Sequence, residues 1–141
     1  MLRQESTGKR LTVTATTASR RYLLDSSGWV EATGTGPKAA SFQQYLSDAA
    51  PLIVPTIVIY EVYKKLLQTA GKNVAERFLS HSLRQTVVPL DEYLALAAAE
   101  NSVRHGLAMA DAIIYSTAVS RGAELVTCDS HFTGLPSVTM V

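Results

Sequence analysis

Short apolar segments alternate with longer segments of helical periodicity from residue 21 to the end of the chain. Each apolar segment is bounded by polar residues, glycine or proline, as is typical of buried strands. The pattern predicts four or five strands, at 22–24, 52–54, 86–89, 124–127 and 137–141. Apolar residues spaced three and four apart predict helices at 39–49, 55–70, 74–83, 91–105 and 108–120. The segment Asp-Ser-Ser-Gly at 25–28 has the composition of a polar turn.

The strand segments are continuously apolar and show no alternation between apolar and polar positions. Continuous runs are typical of parallel sheets that helices cover on both faces. The sequence therefore predicts an α/β fold, a three-layer α/β/α sandwich with a central parallel sheet of four to five strands. The length of 141 residues fits one domain, at 21–141. It follows an arm at 1–20 that is rich in Thr and Ser and has no periodicity.

Composition and charge narrow the classes of function. Hydrophobic residues make up 47% of the chain, which excludes a disordered protein. Five basic residues stand against one acidic residue in 1–21, whereas eight stand against eleven in the remainder, so the arm is basic and the domain mildly acidic. The longest apolar segment, at 51–60, is too short to span a membrane. Asp25 interrupts the apolar stretch that an export signal needs, and a single cysteine, Cys128, favours the cytoplasm.

Four acidic residues stand out by their positions. Asp25 and Asp129 directly follow predicted strands, where the carboxyl ends of a parallel sheet border the ligand crevice. Glu61 and Asp111 interrupt apolar helix surfaces, where a charge is rare without a partner. Each acid also has an ordinary explanation, because Asp at a strand end or helix start often forms a turn or cap, and Glu61 can pair with a lysine of the next helical turn.

If the four carboxylates converge, they need a counter-ion. Two like charges about 5 Å apart repel by about 3 kcal/mol at an effective dielectric constant of about 20. The three histidines, at 81, 105 and 131, show no zinc-ligand spacing, and carboxylate oxygens prefer hard cations. The predicted ion is therefore Mg²⁺ or Mn²⁺, which retains water, binds phosphate oxygens and supports phosphodiester hydrolysis.

At these acids the chain resembles the PIN-domain ribonucleases, and in size and motif spacing it resembles the VapC-type toxins of bacterial toxin–antitoxin pairs. The resemblance covers 22–141 and rests on four segments in order. They are Leu-Leu-Asp-Ser-Ser at 23–27, Pro-Thr through Glu-Val at 55–62, Ala-Asp-Ala-Ile-Ile at 110–114 and Leu-Val-Thr-Cys-Asp at 125–129. Successive acids stand 36, 50 and 18 positions apart.

The resemblance implies roles for individual residues. Four carboxylates would carry catalysis and hold the metal: Asp25, Asp111 and Asp129 as ligands, and Glu61 directly or through water. Two hydroxyl residues, Ser27 and Thr127, would orient ligands or water from behind these acids. The resemblance further implies a single-stranded or loop RNA substrate (tRNA, rRNA or mRNA) and a homodimer. It also implies a small antitoxin partner whose tail blocks the acidic pocket, frequently with an arginine.

RNA binding also needs positive charge, and six basic residues are candidates: Lys64, Lys65, Lys72, Arg77, Arg84 and Arg104. A solvated helix face explains each of them equally well. Tyr60 and Tyr63 are candidates for base stacking, but core packing is the favoured interpretation. Two alternatives to a toxin stay open. One is a solitary RNA-processing nuclease, and the other is a catalytically silent PIN-fold module that binds another protein.

Overall fold

The structure is a computed structural model that describes residues 20–46 and 50–141. Within these residues it contains five strands: β1 (Tyr22–Leu24), β2 (Ile53–Pro55), β3 (Thr86–Val88), β4 (Glu124–Thr127) and β5 (Val138–Met140). It also contains six α-helices: α1 (Ser26–Thr33), α2 (Ala39–Leu46), α3 (Thr56–Thr69), α4 (Lys72–Ser82), α5 (Glu92–His105) and α6 (Met109–Ser120). A short 3-10 helix, Ser130–Phe132, lies between β4 and β5. Of the predicted arm, residues 1–19 lie outside the described residues.

All strand pairs in the described residues are parallel, and they form two hydrogen-bonded ladders. In one ladder β4 lies between β1 and β5, with Leu23 beside Leu125. In the other, β2 pairs with β3, with Val54 beside Val87. Because β1 also lies against β2, the strand order is β3, β2, β1, β4, β5. The predicted α/β fold with a parallel sheet is confirmed, with its hydrogen bonds divided between two ladders.

The sheet is buried on both faces, which explains the continuously apolar strands. Leu23 and Leu24 of β1 are fully buried, as are Leu125 and Val126 of β4. Successive side chains of a strand point to opposite faces, so helices cover both sides of the sheet. One of them, α6, is buried along residues 112–118 and contacts β2 and β4. The first turn of this buried helix carries Asp111, one of the predicted site residues.

The prediction of a polar turn at 25–28 is wrong, because α1 begins at Ser26. Asp25 is the N-cap of this helix, and its side chain accepts a hydrogen bond from the backbone N–H of Gly28. Glycine disfavours a helix, but a Cβ at Gly28 would lie 2.8 Å from Cε1 of Phe42. The same four residues favour a turn by composition and a helix start by capping. The structure has the capped helix, and the packing against Phe42 explains why its third residue is glycine.

The other predicted elements occur with boundary shifts of a few residues. The strand expected at 86–89 ends at Val88, because the next residue is a proline, which has no N–H to donate to a ladder. The helix expected at 39–49 is observed up to Leu46, and residues 47–49 lie outside the described residues. Among the residues described, no helix combines the length and apolar character that crossing a membrane requires.

Candidate active site

The chain order of the strands reverses at the centre of the sheet. There β1 lies between β2, the next strand along the chain, and β4, which follows only after β3. In parallel sheets this reversal opens a crevice outside the carboxyl ends of the strands. Asp25 directly follows β1, and Asp129 comes shortly after β4. The topology alone therefore brings two of the four predicted acids to one crevice.

A pocket of about 380 Å³ opens at this crevice. Its lining includes all four predicted acids and comes from several elements: Asp25, Ser26, Ser27, Val30, Glu31, Glu61, Lys65, Asp111, Ile114 and Asp129. Among these lining residues, five carboxylates face one ammonium group. Because like charges in one pocket repel, the imbalance favours the binding of a cation or a cationic side chain.

Asp25 is the buried acid of the pocket, with only 3% of its surface exposed. Its Oδ1 accepts hydrogen bonds from Oγ of Ser27 at 2.8 Å and from the N–H of Gly28 at 3.1 Å. Its Oδ2 accepts one from Oγ1 of Thr127 at 2.8 Å. Burial raises the pKa of Asp25, the bonds from Thr127, Ser27 and Gly28 oppose this rise, and the charge of Asp129 adds to it. The protein therefore fixes this carboxylate in one orientation.

Thr127, the last residue of β4, joins two of the acids. Besides donating to Asp25, its fully buried hydroxyl oxygen accepts a hydrogen bond from the N–H of Asp129 at 2.9 Å. The other predicted hydroxyl residue, Ser27, also contacts Asp25 directly. Ser27 lines the pocket and Thr127 does not, and the function of both as positioning residues stays a prediction.

Asp111 and Asp129 form a more exposed pair of acids that share a contact with His131. Nδ1 of His131 lies 3.1 Å from Oδ2 of Asp111 and 3.4 Å from Oδ1 of Asp129. The side chains of the two acids are 19% and 31% exposed. Burial raises the pKa of Asp111, the hydrogen bond with His131 opposes this rise, and the charge of Asp129 adds to it. One imidazole thus contacts both carboxylates.

Glu61 reaches the pocket from α3, and the structure joins it to α1. Oγ of Ser26 donates a hydrogen bond to Oε1 of Glu61 at 2.5 Å. The alternative interpretation from the sequence paired Glu61 with one of the lysines of the next turn, Lys64 or Lys65. The contact with Ser26 instead directs this carboxylate toward the other acids of the pocket, all of which share its lining.

The donor set fits the predicted divalent cation. One carboxylate oxygen each of Asp111 and Asp129 and one ring nitrogen of His131 lie within 4.8 Å of one another. Asp25 and Glu61 line the same pocket and add further carboxylate oxygens. Mg²⁺ and Mn²⁺ are the ions that carboxylate-rich sites hold best. The arrangement of donors therefore supports the prediction that the ion is either Mg²⁺ or Mn²⁺.

A sequence model of the PIN domain matches residues 22–136. The chain belongs to the PIN-domain family. The family expected from the four acidic segments is therefore confirmed, and the match includes all four acids of the pocket. No curated protein matches the chain in a direct sequence comparison.

Solved structures with this PIN fold come from bacterial toxin–antitoxin systems. A toxin–antitoxin complex from Klebsiella pneumoniae has a TM-score of 0.71 at 20% identity, over 84% of this chain and 96% of that chain. VapC20 from Mycobacterium tuberculosis, a sarcin–ricin loop cleaving toxin, has a TM-score of 0.69 at 17% identity, over 82% and 95%. VapBC2 from Rickettsia felis, bound to a DNA fragment from its promoter, has a TM-score of 0.64 at 19% identity, over 85% and 96%. At identities this low, the structural similarity establishes a shared fold and nothing more.

Three residues at the pocket of this PIN domain received no role from the sequence: Ser26, Glu31 and His131. Ser26 and Glu31 lie on α1, which the composition of its first turn conceals. If Asp25 is interpreted as an N-cap, the sequence predicts a helix that places Glu31 on the same face as the other lining residues of α1. His131 follows Asp129 by two positions, a spacing that the zinc-ligand patterns do not cover.

The predicted RNA-contacting residues divide into two groups in the PIN domain. Lys65 lines the pocket, whereas five others lie outside its lining: Lys64, Lys72, Arg77, Arg84 and Arg104. The ammonium group of Lys64 lies over the ring of Tyr60, 5.6 Å from its centre. Tyr60 is 62% exposed, so the prediction that it packs in the core is wrong. The same prediction is correct for Tyr63, which packs against the core.

Proposed function

We propose that this PIN domain is a metal-dependent endoribonuclease that hydrolyses phosphodiester bonds in single-stranded or loop RNA and acts as the toxin of a toxin–antitoxin pair. The observation that carries the proposal is the convergence of Asp25, Glu61, Asp111 and Asp129 on one pocket. Solved structures of the same fold include a toxin–antitoxin complex and a toxin that cleaves the sarcin–ricin loop. A catalytically silent binding module would leave the clustered acids without a purpose.

The proposed cofactor is Mg²⁺ or Mn²⁺. Asp25, Asp111 and Asp129 would hold the ion, and Glu61 would bind it directly or through water. Such an ion, when bound, lowers the pKa of a coordinated water and offsets the charge that develops on phosphate oxygens. The ion also balances the excess of carboxylates in the pocket lining.

The chain prepares the pocket before the substrate arrives. Thr127 holds Asp25 through a buried hydrogen bond, and Ser26 holds Glu61. A polar site that is already oriented needs little reorganisation as charge moves during a reaction. Lys65 adds an ammonium group to the pocket wall, where it can contact a phosphate of the RNA backbone. The carboxylates would thus act on a strand whose backbone this lysine positions.

RNA binding would extend from the pocket along α3. Lys64 and the exposed Tyr60 lie beside the pocket-lining stripe of this helix, where their ring and ammonium group are available to a base and a phosphate. Arg84 and Arg104 are exposed and remain proposed backbone contacts. Phosphate contacts position a strand but do not select its sequence, so the identity of the RNA depends on its shape as well.

The same pocket suits an inhibitory partner. Five carboxylates against one lysine complement an arginine, whose planar guanidinium group binds a carboxylate through two parallel hydrogen bonds. We therefore expect a small antitoxin whose tail places an arginine among the acids. The K. pneumoniae structure with the same fold is a toxin–antitoxin complex.

The proposed oligomer is a homodimer formed through α5 and α6. Three large apolar side chains at this surface, Leu96, Val103 and Met109, are 66%, 87% and 74% exposed. An adjacent groove is lined mainly by alanine, leucine and isoleucine residues of the same region. Exposed apolar patches of this kind mark protein–protein interfaces. A cytoplasmic location is part of the same proposal, because the RNA substrates are found there.

The deciding experiment compares Asp111→Asn with the wild-type protein in RNA cleavage at saturating Mg²⁺. We expect the rate to fall by at least about 100-fold, the loss typical for a group that stabilises developing charge. Glu100→Gln is the matched control, because Glu100 is an exposed acid of α5 outside the pocket lining. Equal cleavage by Asp111→Asn and wild type would remove the assigned site.

The toxin role has a separate test. Expression of the wild-type protein is expected to arrest growth, and expression of Asp111→Asn is not. If this chain is a toxin, we expect a neighbouring gene to encode a small antitoxin, and its co-expression to restore growth. Growth arrest that no neighbouring gene product relieves would favour the solitary RNA-processing nuclease instead.

A further inference from the structure

His131 lies at the mouth of the pocket, against two of the proposed metal ligands. Its Nδ1 is 3.1 Å from an oxygen of Asp111 and 3.4 Å from an oxygen of Asp129. Its side chain is 70% exposed, so the ring is not held there by core packing. We propose that His131 is itself a metal ligand and that its nitrogen makes the site bind Mn²⁺ more tightly than Mg²⁺. This inference rests on the proposed metal-dependent function.

The distances match a shared coordination sphere. Adjacent ligands around an octahedral ion at about 2.1 Å from each donor are about 3.0 Å apart. Both contacts of Nδ1 with the carboxylate oxygens are close to this spacing. The contact with Asp111 is a hydrogen bond when Nδ1 carries the ring proton, and Nδ1 would bind the ion in the tautomer that carries the proton on Nε2. All three donor atoms lie within 4.8 Å of one another, so small side-chain movements suffice to bring them around one ion.

The local backbone keeps His131 near its partners. Asp129 is the N-cap of the 3-10 helix, and its Oδ1 accepts a hydrogen bond from the backbone N–H of His131 at 2.9 Å. This cap places the acid and the imidazole on the same short turn, facing Asp111 on α6. Phe132, the next residue, is fully buried and anchors the turn in the core. The position of the imidazole is thus set by the fold rather than by a flexible loop.

The identity of the donor determines the preference between ions. Mg²⁺ is bound mainly by oxygen ligands and keeps several of its waters. First-row transition ions accept imidazole nitrogen together with carboxylate oxygen, and Mn²⁺ is the member of that series that also suits carboxylate-rich sites. A metal site with four carboxylate ligands and one imidazole would therefore favour Mn²⁺, whereas carboxylates alone would not distinguish the two ions in this way.

Pulsed electron paramagnetic resonance of the full chain with Mn²⁺ tests the inference directly. We expect ¹⁴N modulation from a coordinated imidazole in the wild-type protein and its loss in His131→Ala. Calorimetric titration should show Mn²⁺ affinity falling by about tenfold or more in this variant, as is typical when a metal site loses support, with a smaller change for Mg²⁺. His105→Ala is the matched control, because His105 packs against Tyr115 outside the pocket lining and its loss should leave both readouts unchanged.

The outcomes separate this inference from the proposed function. Asp111→Asn is expected to lose both ions together with RNA cleavage. If wild-type protein binds Mn²⁺ without nitrogen coupling, or if His131→Ala weakens Mg²⁺ and Mn²⁺ equally, the inference about His131 is wrong while the nuclease function stands. If Asp111→Asn retains metal binding and cleavage, the proposed function fails irrespective of His131. Thermal unfolding verifies that each variant is folded.

Discussion

Asp25 and Asp111 are carboxylates of the same pocket, but the chain holds them in different ways. Asp25 is almost fully buried and accepts hydrogen bonds from Ser27, Gly28 and Thr127. Asp111 is more exposed, and its hydrogen-bond contact is with the exposed ring of His131. The carboxylate of Asp25 is therefore held by the fold without an ion, whereas that of Asp111 contacts one exposed imidazole that also lies near Asp129.

The difference separates structural from purely functional acids. Asp25 caps α1 and connects it to β4 through Thr127, so the fold uses this residue in the absence of any ligand. Asp111 lies in the first turn of α6 but is not its N-cap, which is Ala108. The fold gains little from Asp111, and its presence is best explained by the ligand that the pocket binds.

The largest effect that separates the two acids is expected on stability. Asp25→Ala should lower the free energy of unfolding by about 2 kcal/mol, because it removes an N-cap and leaves buried donors without an acceptor. Asp111→Ala should change the free energy of unfolding by less than about 0.5 kcal/mol, as is usual for a substitution that removes neither a helix cap nor a buried hydrogen-bond acceptor. Urea denaturation at pH 7 with a chelator measures both. Asp25→Asn, which retains a capping side chain, should recover part of the loss, and equal losses at the two positions would contradict the comparison.

Substitution of Thr127 is a smaller perturbation than removal of Asp25. Thr127→Val keeps the shape of the side chain but removes the hydroxyl that donates to Asp25 and accepts from the N–H of Asp129. We expect a loss of about 1 kcal/mol in unfolding free energy and slower RNA cleavage, because both acids lose a fixed contact. Thr127→Ser, which retains the hydroxyl, should restore most of the cleavage. If valine and serine give the same cleavage rate, the hydrogen bonds do not position the acids.

Much of the fold follows from local patterns in the sequence. The strands β1 and β4 occur at their predicted bounds, because each is a continuous apolar run between polar residues. The helix α1 is different, since its start is a polar Asp-Ser-Ser-Gly segment that favours a turn. The N-cap at Asp25 stabilises this segment as a helix, and the close approach to Phe42 explains the glycine at position 28. That contact between distant residues has no local signature.

Part of the candidate site also follows from the predicted sheet. Asp25 and Asp129 follow strands that pair in parallel, so their proximity follows from the predicted sheet. The arrival of Glu61 and Asp111 in the same pocket depends on how α3 and α6 pack, which periodicity does not specify. The four family segments supply that information through resemblance. His131 lies outside those segments, and only the structure brings it to the acids.

The smallest expected effect concerns the pH dependence of stability. Burial raises the pKa of Asp25 and of Asp111 above the ordinary value of 3.8. A carboxyl whose pKa is raised in the folded state stabilises the fold fully below 3.8, and this contribution is lost as the pH rises through the raised pKa.

Asp111→Asn cannot ionise, so its stability relative to wild type should increase from acidic to neutral pH in the absence of metal. Asp25→Asn should show the same trend, displaced toward lower stability by its weakened hydrogen bonds. Chemical denaturation across this pH range measures both curves, and parallel curves for wild type and Asp111→Asn would show that Asp111 is not disfavoured in its ionised form. Saturating Mg²⁺ should remove the trend in the wild-type protein, because a cation bound by the ionised carboxylates offsets their cost in the folded state.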